Sequence, residues 1–226
     1  MISSGFDAWL LHKHWSGETS ARVTFFTREH GVIVALCKGG RAPKKQSTLQ
    51  PFTPLWLACD VRNDWHYVRQ LDITAPSLIL NRDALFAGLY INELLYHGIR
   101  QLDACPNLYD AYQQTLNALT ILTDRLAIEV ILRRFEWQFL NSLGYQMSLT
   151  HDALTADPID ASKQYTFIAG EGVSLAPKGI SGAYILAIAE DNLGDVNVLK
   201  AAKWIMRRAI DHALDGKRIM ARELYA

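Results

Sequence analysis

Two hydrophobic periods divide the chain. Between residues 6 and 75 the apolar positions come in short runs rich in Val, Ile, Phe, Trp and Tyr, at 8–12, 22–27, 32–37, 55–59 and 65–71. Turn material bounds each run: Ser16-Gly17, Arg28-Glu29-His30-Gly31, a long Gly- and Pro-broken connection after Cys37, and Arg62-Asn63-Asp64. Such runs between such breakers predict β-strands. After Pro76 the period lengthens. Leu85, Tyr90, Ile91, Leu94 and Leu95 follow helical spacing, as do Leu108, Tyr112, Leu116 and Leu119 behind the start signal Pro106-Asn107. A third stripe, Ile128, Leu132, Phe135, Phe139 and Leu143, runs into Gly144, a residue suited to a helix C-terminus. Asp195 caps a last long helix with Leu199, Ala202, Met206, Ala209 and Ala213 on one face. Between these helices, residues 145–185 are weakly patterned, and Gly170-Glu171-Gly172 sits at the centre of an expected hairpin.

Five strands joined by one long connection would leave exposed edges in a flat sheet, and closure into a small barrel removes them. The five-stranded barrel built this way is the OB-fold, a frequent binder of single-stranded nucleic acid. The expected architecture is α+β. An N-terminal five-stranded OB-fold β-barrel spans residues 1–78, and an α-helical domain with a small inserted β-hairpin near 165–175 spans 79–226.

The long connection carries the clearest chemistry. Lys38-Gly39-Gly40-Arg41-Ala42-Pro43-Lys44-Lys45-Gln46-Ser47-Thr48 holds four cations and no acid. Its Gly and Pro content predicts an exposed, mobile loop, neither helix nor sheet. Glycines let the backbone approach a phosphate closely, and Lys38, Arg41, Lys44 and Lys45 neutralise its charge, so these are the candidate DNA-binding residues. A solvated surface loop is the alternative reading of the same segment.

Lys+Arg and Asp+Glu both number 23, giving a formal net charge of zero, so any nucleic-acid affinity has to come from a local patch. Cys37, Cys59 and Cys105 lie far apart with no Cys-x-x-Cys, which indicates neither a disulfide framework nor a structural zinc site. No secretory signal and no membrane-length apolar run is present, and a cytoplasmic, reducing compartment is expected. His12 and His14 share a strand face without a third ligand near them in sequence; exposed or half-buried strand histidines fit better than a metal pair. No Gly-x-Ser-x-Gly, His-Glu-x-x-His or phosphate-loop signature occurs, so no catalytic chemistry and no cofactor is expected.

On the last long helix, Lys200, Lys203, Trp204, Arg207 and Arg208 lie away from the apolar stripe. One reading is a solvated face. The other is a dock for an acidic, aromatic-ended peptide, with Lys200, Lys203 and Arg207 holding carboxylates and an apolar cleft taking the ring. Arg133 completes that dock if its helix packs alongside. Arg133 and Arg134 sit on the polar side of their stripe, and pairing with Glu129 or Glu136 at helical spacing is the competing account.

Several motifs in fixed order resemble the bacterial recombination mediator RecO family. They are Lys38-Gly39-Gly40-Arg41 leading to Gln50-Pro51-Phe52-Thr53-Pro54, then Gly88-Leu89-Tyr90-Ile91-Asn92-Glu93-Leu94-Leu95. Leu132-Arg133-Arg134-Phe135-Glu136 follows with Leu143-Gly144-Tyr145, then Leu199-Lys200-Ala201-Ala202-Lys203 and the closing 216–225 segment. The resemblance covers nearly the whole chain. It implies binding of single- and double-stranded DNA, strand annealing, and help in loading recombinase onto DNA coated by single-stranded DNA-binding protein. It also implies the acidic tail of that protein and a RecR-type protein as partners, with nucleoid association and no membrane. Some members of the family carry a cysteine zinc site between the later helices; residues 145–185 here hold no cysteine, so no metal is carried over. The closing Met220-Ala221-Arg222-Glu223 has one cation fewer than the family's Lys-Ser-Arg-Glu. A protein-only adaptor and an RNA-binding OB-fold protein are the other classes compatible with the residues.

Overall fold

The computed structural model describes residues 5–224. Strands β1 (Phe6–Ser16), β2 (Ser20–Thr27) and β3 (Gly31–Cys37) form an antiparallel meander. β4 (Leu55–Arg62) and β5 (Trp65–Ile73) form a hairpin across Asn63 and Asp64, whose φ values of 48° and 62° match the twist that two-residue hairpin turns need. β5 lies parallel to β3, with Leu36 opposite Tyr67, and β4 returns antiparallel to β1, with Ala8 opposite Leu55. The order β1-β2-β3-β5-β4 therefore closes into the expected OB-fold barrel. Leu10, Val23, Phe25, Ile33, Leu55 and Leu57 fill it, none more than 3% exposed.

β2 is buried without interruption from Val23 to Thr27, because both of its faces are covered there. Inward it faces the barrel core. Outward, Phe26 packs against Tyr109 and Tyr112, and Trp9 of β1 also meets Tyr112 edge-on. Those tyrosines belong to α3 (Pro106–Ile121), which follows α2 (Asp83–Gly98). Where β1 bulges between Leu10 and His12, the Leu10 carbonyl accepts from Asn92 Nδ2 at 3.5 Å, and Asn92 Oδ1 accepts from the Tyr112 hydroxyl at 2.6 Å. Burial pushes the Tyr112 phenol far above its ordinary pKa, so it stays a neutral donor. Gly31, with φ +61°, is fixed by close approach: a Cβ there would stand 1.9 Å from the Asp103 carbonyl oxygen.

The connection after β3 departs from expectation. Pro43–Thr48 forms a short helix, α1, where an exposed loop without helix was expected. Pro43 sits in its first turn, where a missing N–H removes no helical bond and the fixed φ favours helix entry. Leu49, just past its end, is fully buried in the barrel core.

The described residues fall into two compact units. One holds the chain up to Thr123 together with the residues from Ile219 onward, and the other is Asp124–Arg218. The second unit contains α4 (Arg125–Ser142), β6 (Gln164–Ile168), β7 (Gly172–Leu175), β8 (Ile180–Ser181), α5 (Gly182–Ala189) and α6 (Val196–Ala213). Asp124 and Asp195 cap α4 and α6, each accepting from backbone N–H groups of the first turn. Gly144, at φ +82°, ends α4, and the Tyr145 N–H reaches back to the Leu140 carbonyl at 3.0 Å. α4 and α5 both pack on α6, and β7-β6-β8 make a small sheet that includes the expected hairpin. The buried Asp152 carboxylate accepts from the N–H groups of Leu154, Thr155 and Leu175 and from the Ser174 hydroxyl. These bonds hold its pKa below the usual carboxylate range and tie residues 152–155 to β7.

The chain re-enters the first unit as α7 (Ala221–Leu224), with Ile219 and Ala221 buried. Glu93 of α2 accepts from the Met220 N–H on one carboxylate oxygen and the Ala221 N–H on the other, both at 2.8 Å. Among the described residues no helix is long and apolar enough to cross a membrane.

Candidate nucleic-acid interface

The basic segment is built onto the barrel by its backbone. Gly40 N–H donates to the Cys37 carbonyl at 3.1 Å and Arg41 N–H to the Thr19 carbonyl at 3.1 Å, which joins the end of β3 to the β1–β2 turn. Gly40 has no room for a side chain, since a Cβ there would lie 2.8 Å from that of Ala21. The Lys45 ammonium donates to the Lys38 carbonyl at 2.6 Å, and the Gln46 amide to the Arg41 carbonyl at 2.6 Å. At the far end the Lys13 ammonium donates to the Leu49 carbonyl. Partial burial lowers the Lys13 pKa below its ordinary value. Lys38, Arg41, Lys44 and Lys45 are all exposed. The structure thus brings these four cations together on one pinned segment.

Sequence reasoning did not foresee the aromatic rings among these cations. Trp15 is 44% exposed and Trp65 50% exposed, against 2% for Trp9. The Arg41 guanidinium lies 5.2 Å from the Trp15 ring centre, and the Lys13 ammonium 5.9 Å from it. Lys38 stands 5.7 Å from the Tyr67 ring, and Arg22 lies 5.4 Å from the Trp65 ring. Pairing register gives their directions. Trp15 is opposite Ala21, whose side chain enters the core, so Trp15 stands at the barrel mouth. Arg22, Leu36 and Tyr67 pair in one row across β2, β3 and β5 on the outer face, with Trp65 two residues from Tyr67 on that face. The signal available in sequence was position: Trp15 directly precedes Ser16-Gly17 and Trp65 directly follows Asn63-Asp64, where strand ends meet turns. Fixed cations next to open aromatic faces can neutralise phosphate and stack bases.

In the second unit, Lys200 and Arg207 of α6 are exposed. Lys203 pairs with Glu129 of α4 at 3.1 Å, and the Arg208 guanidinium covers the 39% exposed Trp204 ring at 4.1 Å. Arg133 does not join them on the surface. It is 6% exposed and bonds to the buried Glu136 at 2.7 Å on the same helix, so the expectation that it lies on the polar side of its stripe is corrected. The i,i+3 carboxylate neutralises the guanidinium and lets both groups enter the interior, widening the buried arc of α4 beyond the apolar stripe. Arg134 stays exposed and pairs with Asp191 at 2.9 Å. A shallow cleft opens beside the C-terminal end of α6, lined by Tyr145, Met147, Phe167, Gly170 and His212 among others.

Burial pushes the Cys59 thiol up to about 12 and Cys105 up to about 11, so both are neutral thiols near pH 7. His12 and His14 are exposed with ring centres 6.1 Å apart. Among the described residues no three His, Cys, Asp or Glu side chains converge.

Closure in the order β1-β2-β3-β5-β4, a cationic rim with open aromatic rings and a following helical unit define an OB-fold protein with an appended helical domain. Comparison with known families narrows this class. Residues 1–76 match the model described as Recombination protein O N terminal, and residues 80–222 match Recombination protein O C terminal. The DNA repair protein RecO of Legionella pneumophila (strain Corby) is 50% identical over 226 residues, covering 100% of this chain and 99% of the relative. Those of Actinobacillus pleuropneumoniae serotype 5b (strain L20) and Pseudoalteromonas atlantica are 35% and 34% identical, each covering 100% of this chain and 95% of the relative. The chain belongs to the RecO family of DNA repair and recombination proteins.

Proposed function

We propose that this protein binds single- and double-stranded DNA through Lys38, Arg41, Lys44 and Lys45, anneals complementary strands, and acts as an adaptor that helps load recombinase onto gapped DNA. One observation carries the reading: four cations without an acid stand on a segment pinned to the barrel rim beside exposed aromatic rings. Annealing needs no covalent step and no cofactor. Screening phosphate charge on two strands while leaving base edges free lowers the electrostatic barrier to pairing. With a net charge of zero, the local patch supplies the attraction.

The adaptor role draws on the exposed cations of α6, with the acidic tail of single-stranded DNA-binding protein as ligand. Lys200, Lys203 and Arg207 hold its carboxylates, and the cleft beside His212 receives its terminal ring. Arg133, buried with Glu136, is left out of that dock. A RecR-type partner and a cytoplasmic, nucleoid-associated location complete the proposal. Mixing complementary labelled oligonucleotides at low salt tests it: the protein speeds annealing, and the gain shrinks as salt rises. An unchanged annealing rate overturns the annealing role. A parallel titration with RNA separates a general single-strand binder from a DNA-directed one.

A further inference from the structure

We infer that Trp15 and Trp65 are stacking platforms for unpaired bases, and that they make this rim of the barrel favour single strands over duplex. The inference rests on the proposed DNA-binding role of the 38–45 segment and extends it to the bases.

Three contacts form a connected path. Arg41 touches Trp15 at the barrel mouth, Lys38 touches Tyr67 on the outer face, and Arg22 touches Trp65 on that same face. Lys38 and Arg41 are three residues apart on one pinned turn, so at most about 10 Å of backbone links the mouth to the outer face. A strand whose phosphates follow these cations passes both indoles. Each tryptophan is about half exposed, with Arg22 beside the Trp65 ring and Arg41 and Lys13 beside the Trp15 ring. Large rings left so exposed are not serving the core; Trp9 shows what a packed indole looks like in this barrel.

Selectivity follows from geometry. In a duplex both faces of each base are occupied by neighbouring bases, so an indole has nothing to stack on unless a pair opens. An unpaired base offers a free face, and each stacked base is worth about five- to hundredfold in affinity. Phosphate contacts, by contrast, serve both forms.

The test uses the full chain, its Trp15→Leu/Trp65→Leu double variant and its Lys44→Ala/Lys45→Ala variant. Each is titrated with a single-stranded oligonucleotide, the same strand carrying abasic sites, and the duplex. The tryptophan variant is expected to lose at least about 25-fold on the single strand, about fivefold or more for each indole, and less than about twofold on the abasic strand and the duplex. The lysine variant loses on all three. Trp15→Phe/Trp65→Phe keeps a ring at each place and restores most of the single-strand affinity, which separates loss of stacking from misfolding. Equal losses on all three substrates, or no loss on the single strand, overturn the inference while leaving the phosphate site standing. Wild-type protein that binds none of the three overturns both.

Discussion

Lys45 has two tasks. Its ammonium closes the basic segment by donating to the Lys38 carbonyl, and it still presents a positive charge at the surface, because a carbonyl does not neutralise it. Lys44, exposed beside it, joins the segment's framework through its backbone carbonyl, which accepts from the Ser47 and Thr48 hydroxyls. If each meets one phosphate of a single strand, replacing either with Ala flattens the slope of log affinity against log salt by about 0.7. The double change flattens it by about 1.4, and Lys45→Ala costs more affinity than Lys44→Ala because it also loosens the turn. Fluorescence titrations across a salt series measure both quantities. Weaker binding with an unchanged slope would mean the segment acts through shape instead of charge.

At the scale of elements, α6 carries the sharpest expectation. Lys203 lies against Glu129, so Lys203→Glu sets two carboxylates face to face and removes a cation from the proposed docking side. Lys200→Glu removes a cation from the same side, and among the described residues no carboxylate pairs with Lys200. Both are expected to weaken an acidic, aromatic-ended peptide about tenfold, and only Lys203→Glu should also lower the unfolding midpoint. A labelled peptide titrated into each variant reads the first effect and thermal unfolding the second; equal affinities for all three proteins would move the dock elsewhere. How legible each element was depended on how its residues signal their surroundings. The barrel strands and the four long helices announced themselves through period and breakers, down to Asp195 and Gly144 at helix ends. α1 was hidden because Pro43 reads as a breaker along the chain yet starts a helix when it falls in the first turn. α5 was hidden because Gly182–Ala189 is almost uniformly apolar and shows no period. The Arg133–Glu136 pair was legible in its i,i+3 spacing, but its burial was not, because one carboxylate at that spacing is enough to draw a guanidinium inside. The exposed indoles were missed since tryptophan in a strand is ordinarily core.

Over the whole molecule, the telling feature is that the chain leaves the first unit at Thr123 and comes back to it at Ile219. Glu93 holds the return by accepting two consecutive backbone N–H groups. Glu93→Gln keeps one acceptor oxygen and turns an amide donor toward the other N–H. The exchange should weaken the clasp by about 1–2 kcal/mol, which hydrogen exchange reads as roughly tenfold faster labelling at Met220 and Ala221. Unchanged labelling there would mean that Ile219 and Ala221, both buried, hold the segment without the carboxylate. The clasp also sets a timetable. A ribosome delivers the barrel, α2 and α3 first, then all of Asp124–Arg218, and only afterwards the residues that Glu93 receives. At about 5–20 residues per second, α2 waits on the order of ten seconds with that face open. The newborn first unit is therefore an unfinished container, sealed by the late arrival of a handful of residues, and anything that stalls translation inside the insert leaves it unsealed.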